Sequence, residues 1–164
     1  MNKFLVSLLL LLLLSPVQAD ETPLIISVKR ITMESALLIA QGTINACRKE
    51  GVQVSVTVVD REGEPQVTLR DSVAPTISLT ISQQKAKAAL SFNFPTSELQ
   101  DRFKNHGSVA KVDGLIFSAG GIPIQAGGHI LGGIGVSGAP SGELDEKCAR
   151  AGLSVILDDL EMAE

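Results

Sequence analysis

The sequence predicts a single α+β domain, a five-stranded antiparallel sheet with helices packed on it. Three observations point to this. The elements run in the order helix, two strands, two helices, three strands, helix. Neighbouring strands are joined by short glycine-rich turns, which connect antiparallel partners and leave no room for a crossover. The chain has 164 residues, a length suited to one domain.

The first nineteen residues stand apart. Lys3 is a short positive start, Phe4 to Leu14 is an apolar run of mostly leucine, and Ser15 to Ala19 is a small-residue cleavage region. This is the pattern of a secretory signal peptide over residues 1–19. The run is shorter than the roughly 20 residues a membrane span needs. No second such run follows, so no membrane span is expected in the mature chain, residues 20–164. The expected location is the periplasm or the exterior of the cell.

Thr32 is a good N-cap with Glu34 in the first turn behind it, and Ala36, Leu37, Ala40, Ile44 and Cys47 recur at helical spacing. Lys49 and Gly51 close that helix, predicted over 33–50. Val52 to Asp60 alternates valine with Gln53, Ser55 and Thr57, as a half-buried strand does. A turn at Arg61 to Glu64 leads to a return strand, Pro65 to Leu69. Thr76 to Phe92 reads as helix, with Ile77, Ile81, Ala88 and Ala89 as the apolar side and Gln83, Lys85 and Lys87 as the polar side. Pro95 breaks the chain, and Thr96 or Ser97 caps a short helix ending near Asn105. Three strands follow, at 114–119, 122–125 and 129–137. Ser141 caps a last helix that takes in Asp158 and Asp159.

Composition narrows the function. Fourteen Lys and Arg stand against 18 Asp and Glu, a net charge of −4, one unit more negative once Lys3 is removed. That balance argues against nucleic acid or an anionic membrane as partner. There is no Trp or Tyr, and the mature chain has only Phe92, Phe94, Phe103 and Phe117. It therefore lacks the aromatic platforms that hold single-stranded nucleic acid. Cys47 and Cys148 both fall on predicted helices. In an oxidising compartment they form either a disulfide or two buried thiols. A bond would close a loop of about 100 residues and stabilise by up to about 4.7 kcal/mol on the entropic account.

The stretch from Gly133 to Gly138 spells G-x-G-x-x-G, but a dinucleotide fold needs a helix and then a second parallel strand after it. The last helix consumes what remains of the chain, so the motif is not a nucleotide loop. Eight glycines lie between Gly120 and Gly138. Gly121, Gly127 and Gly128 suit hairpin turns. Gly132, Gly133 and Gly135 lie inside a strand, where glycine marks close approach of another backbone or of a ligand.

Three segments carry a resemblance: VSVTVVDREGEPQVTLRDSVAP (55–75, with Val54 before it), SLTISQQKAKAALSF (78–92) and, most specifically, GGIPIQAGGHILGGIGVSGAPSGELDEKCARAGL (120–153). Together they resemble the GlcG/HbpS-like family, the heme-binding or haem-degrading domain. One departure is Glu64, where the family's turn often carries a second glycine. The resemblance implies an α+β fold, a homo-oligomer, and heme or a related tetrapyrrole as cofactor or ligand. It also implies that I-G-V-S-G belongs to the fold.

Heme iron is held by His, Cys, Met or Tyr. His129, beside the Gly127–Gly128 turn, and His106, in a polar stretch after a helix, are the candidate ligands to the metal. Arg70, Lys85 and Lys87 are candidate donors to propionates. No catalytic residue is assigned, since no G-x-S-x-G or H-E-x-x-H occurs. The leading expectation is a binding protein that sequesters or transfers heme. The alternative is a carboxylate-binding accessory or oligomeric scaffold without heme, using Arg70, Lys85 or Lys87. Heme degradation, with the cofactor carrying the oxidative chemistry, is third.

Overall fold

The structure is a computed structural model that describes residues 22–104, 107 and 109–163. The predicted signal peptide and His106 lie outside the described residues. Helix α1 spans Met33–Lys49, with Thr32 as its N-cap accepting from the Ser35 amide at 3.2 Å. Strands β1 (Ser55–Asp60) and β2 (Pro65–Arg70) form the first hairpin. Helices α2 (Ile77–Phe92) and α3 (Thr96–Phe103) follow, then the hairpin of β3 (Gly121–Ala126) and β4 (His129–Ser137). Helices α4 (Gly142–Leu153) and α5 (Leu157–Met162) end the chain. Among the described residues no helix is long and apolar enough to cross a membrane.

The sheet has four strands in the order β2-β1-β4-β3, all antiparallel, and not the five expected. Gly114 to Ala119 is irregular. Gly114 turns the chain at φ +83°, and Phe117 joins a cluster with Phe92 and Phe103 at ring separations of 5.0 to 5.4 Å. The Ala119 amide donates to the Gln100 side chain at 3.4 Å. The Ala119 amide, a group a ladder would have needed, is thus taken by α3, and the Phe117 ring packs on α2 and α3. The last helix also breaks. The Val155 and Ile156 amides turn to the carbonyls three residues back, and the Ser154 hydroxyl donates to Ala151, which tightens the turn and stops the helix. Asp158 and Asp159 therefore belong to α5.

Helix α2 covers one face of the sheet, and α1 with α4 covers the other. Strand β1 is thus buried on both faces, whereas alternation alone suggested one. Val56 and Val58 pair with Val136 and Ile134 across the ladder and face α1 and α4, where Ile39, Ile44 and Ala149 complete an aliphatic core. Ser55 and Thr57 face α2, and their buried hydroxyls pair with Ser78 at 2.8 Å and Ser82 at 2.9 Å. The strand glycines explain why these helix residues are small. A Cβ on Gly135 would stand 1.9 Å from the Ser82 carbonyl oxygen, and one on Gly133 2.6 Å from that of Ala86. The glycines admit the α2 backbone to the sheet.

On the other face Cys47 and Cys148 join α1 to α4. Their sulfurs are at bonding distance, with 5.4 Å between the Cα atoms. Gly152 lies against Thr43 at the same contact, with no room for a Cβ.

A candidate ligand cleft at His129

Both hairpin turns lie at one end of the sheet. Asp60, the last residue of β1, pairs with Gly132, and β4 begins three residues earlier, at His129. Gly127 and Gly128 make the turn before it at φ +55° and +73°, which glycine adopts without strain. The Gly127 amide donates to Glu161 on α5 at 2.8 Å, so α5 is tied to this turn. The Arg61 guanidinium donates to the Ile130 carbonyl and joins the two hairpins.

The His129 side chain is exposed and lines a cleft of about 320 Å³. Ile31, Leu131 and Leu160 form its apolar walls, and Lys29 and Arg30 stand on its rim. Ile31 is buried and anchors the segment that enters α1. Arg30 is shared with the first hairpin, 2.6 Å from Glu62 and 3.7 Å from Asp60. Lys29 makes no ion pair among the described residues.

The other candidates do not gather here. Arg70 is at the far end of β2, paired with Ser55, and its guanidinium donates to the Ala74 carbonyl at 2.7 Å. Lys85, placed on the polar side of its helix by sequence, points inward. Its ammonium is buried against the Val136 carbonyl at 3.0 Å and Asp145 at 2.9 Å. Burial raises the Asp145 carboxyl above its ordinary value, and the ammonium opposes that shift. Lys87 sits 3.7 Å from Glu64 at the first hairpin.

A second cleft, of about 500 Å³, lies between α3 and the 115–118 segment. Phe103 and Phe117 line it, with Lys104 at its margin, two residues before His106 in sequence. Among the described residues no three His, Cys, Asp or Glu side chains come together as a metal site.

Sequence reasoning singled out His129 as a candidate but not Lys29, Arg30 and Ile31, which line the same cleft from about a hundred positions away. The adjacent basic pair before the Thr32 cap was visible, but nothing in the sequence tied it to the second hairpin.

The family model described as "Haem degrading protein HbpS-like" matches residues 31–154. The chain belongs to the HbpS-like family. A crystal structure of a double mutant of Streptomyces reticuli HbpS is 42% identical, with a TM-score of 0.79, over 87% of this chain and 97% of that one. The Klebsiella pneumoniae protein ORFY is 26% identical, with a TM-score of 0.75, over 81% of this chain and 94% of that one. PduOC, solved as a heme complex, shares the fold at 24% identity and a TM-score of 0.71, over 78% of this chain and 96% of that one. No curated protein matches the chain.

Proposed function

We propose that the mature protein is exported, binds heme or a related tetrapyrrole in the His129 cleft, and sequesters it or hands it on. The observation that carries this reading is an exposed imidazole set among apolar walls with cations on the rim. Those are the three things a heme needs: an iron ligand, a dry surface for the ring, and positive charge for the propionates. Bound heme would supply redox chemistry. This chain supplies the His129 nitrogen, the apolar faces of Ile31, Leu131 and Leu160, and the Lys29 ammonium. At about 320 Å³ the cleft is at the small end of ligand cavities, so one edge of the macrocycle stays in solvent. That suits transfer better than permanent storage.

Export is supported by the N-terminal pattern and by the Cys47–Cys148 pair, which belongs to an oxidising compartment. The phenylalanine-lined cleft near His106 is the second reading for the same ligand, because a ring could stack on Phe103 and Phe117. Ligand breakdown is the reading taken from the family's description. It would appear as loss of the heme spectrum and release of iron when a reductant is added in air. The carboxylate reading asks for one free cation, and it is less favoured because Lys85 is buried against Asp145 while Arg70 and Lys87 already engage the Ala74 carbonyl and Glu64.

Separate His129→Ala and His106→Ala variants decide between the clefts. Loss or shift of the Soret band in His129→Ala alone supports the first. Loss in His106→Ala alone moves the site to the second. A band unchanged in both removes histidine ligation from the account.

A further inference from the structure

Helix α5 stands between two openings. On one side is the His129 cleft, which Leu160 and the Ala163 that follows the helix help to line. On the other is a groove of about 470 Å³ along the open edge of β3. Ile122, Pro123 and Gln125 of that strand line it, with Arg150 of α4 and Leu157 and Glu161 of α5. The helix is the wall that keeps the two spaces apart.

That wall is lightly held. None of the six residues of α5 is buried, Leu157 and Leu160 are half-buried, and Met162 is 73% exposed. Its root is fixed, because the chain enters through the tight turn at Ser154 to Ile156 and the Ile156 side chain is buried. A short helix with an anchored root and no buried residue belongs to the part of a fold that opens first.

Among the described residues one hydrogen bond joins α5 to the second hairpin, from the Gly127 amide to the Glu161 carboxylate at 2.8 Å, and it is exposed to solvent. Gly127 also lines the His129 cleft, together with the imidazole and Lys29. An amide and an ammonium in one cleft are donors suited to a carboxylate. Here the amide already holds one, and it belongs to the chain itself.

We propose that Glu161 latches α5 over the His129 cleft and holds, at the Gly127 amide, the place that a carboxylate of the incoming ligand takes. The ligand carboxylate displaces that of Glu161, with the Lys29 ammonium to receive it, and α5 turns outward on Ser154 to Ile156. The cleft then runs on into the groove along β3, and the joined space lies well inside the range of about 300–1,000 Å³ that small-molecule sites occupy. With α5 down, the cleft of about 320 Å³ takes only part of a macrocycle. With α5 raised, more of the ring enters. A ligand shifts such an equilibrium only by binding the open form better, and a carboxylate does so because the closed form has its amide occupied. When the ligand leaves, Glu161 returns. The inference rests on the reading that the His129 cleft is the ligand site, and adds how that site opens.

Hydrogen exchange read by mass spectrometry tests it on the chain 20–164 and its Glu161→Ala variant, each with and without heme. Glu161 is exposed, so the variant should melt like the parent. Without heme, α5 and residues 126–129 should exchange about fivefold faster in the variant, with α4 unchanged. Heme added to the parent should protect residues 29–32 and at the same time speed exchange in α5, whereas a bond that merely ties down the turn would leave α5 as protected as before. Heme with both propionates esterified should leave α5 exchange unchanged. Heme association followed by stopped-flow absorbance should be about fivefold faster in the variant. Equal α5 exchange in the two heme-free chains, slower α5 exchange in the heme-bound parent, or equal association rates overturns the proposal. No Soret change with either chain overturns the heme reading and not the latch, which the heme-free exchange decides by itself.

Discussion

The ammonium of Lys85 and the carboxylate of Asp145 are each 4% exposed, and together they tie α2, β4 and the start of α4. Asp145 also accepts from the Ala139 amide at 3.1 Å, which fixes the loop into α4. Such a pair barely offsets its own desolvation, but removing one partner strands the other. Lys85→Met should therefore cost about 3–5 kcal/mol in urea unfolding. The double variant Lys85→Met/Asp145→Leu should recover much of that loss. Near the surface, Arg48 holds the buried Asp71 carboxylate through two hydrogen bonds of 2.7 and 2.8 Å, and hydrogen bonding to this guanidinium is the main cause that holds the Asp71 carboxyl below its ordinary value. A lowered folded value means Asp71 stabilises the fold above the unfolded value, and that stability is lost as pH falls through the folded one. Unfolding measured from pH 6 down to pH 2 should show a shallower acid limb in Asp71→Asn than in the parent.

Helix α2 and the strand glycines act as one packed unit. Gly135→Ala would place its Cβ 1.9 Å from the Ser82 carbonyl, a backbone atom that cannot move alone. Its cost should exceed about 3 kcal/mol, in the upper tail for single substitutions. Gly127→Ala, where nothing lies within 4 Å but φ is +55°, should cost only about 1–2 kcal/mol. Unfolding curves of the two variants separate close approach from turn strain. This contact also shows what could be read from the sequence. The hairpins, the Thr32 and Ser141 caps and the β4 bounds follow from alternation and cap chemistry, and the structure has them. The inward side of α2 follows only in part: Ala88 and Ala89 are buried as expected, but Ser78, Ser82, Lys85 and Ala86 lie inward beside them while Ile77 stays 64% exposed. An apolar-periodicity reading assumes large residues inside. Here the glycines opposite make small ones fit, so Lys85 and Ile77 were placed on the wrong sides. Gly114 to Ala119 misled for a related reason: its apolar residues serve a phenylalanine cluster and not a ladder.

Across the whole molecule, the Cys47–Cys148 link spans 101 residues and clamps α1 to α4. Reduction should lower stability by about 4 kcal/mol on the loop-entropy account. A Cys47→Ala/Cys148→Ala variant should be indifferent to reductant. The candidate site was only partly legible because it is assembled from the segment before α1, the second hairpin and α5, which are distant in sequence. His129 could be found from its residue type and its glycine neighbours, but the cations and apolar walls could not. The central claim is that this cleft holds heme, and a heme titration of the chain 20–164 followed by absorbance tests it most directly. The account predicts a saturable Soret shift at one heme per chain, with micromolar or tighter affinity, weakened about tenfold by Lys29→Glu. Weak binding that never saturates would contradict it.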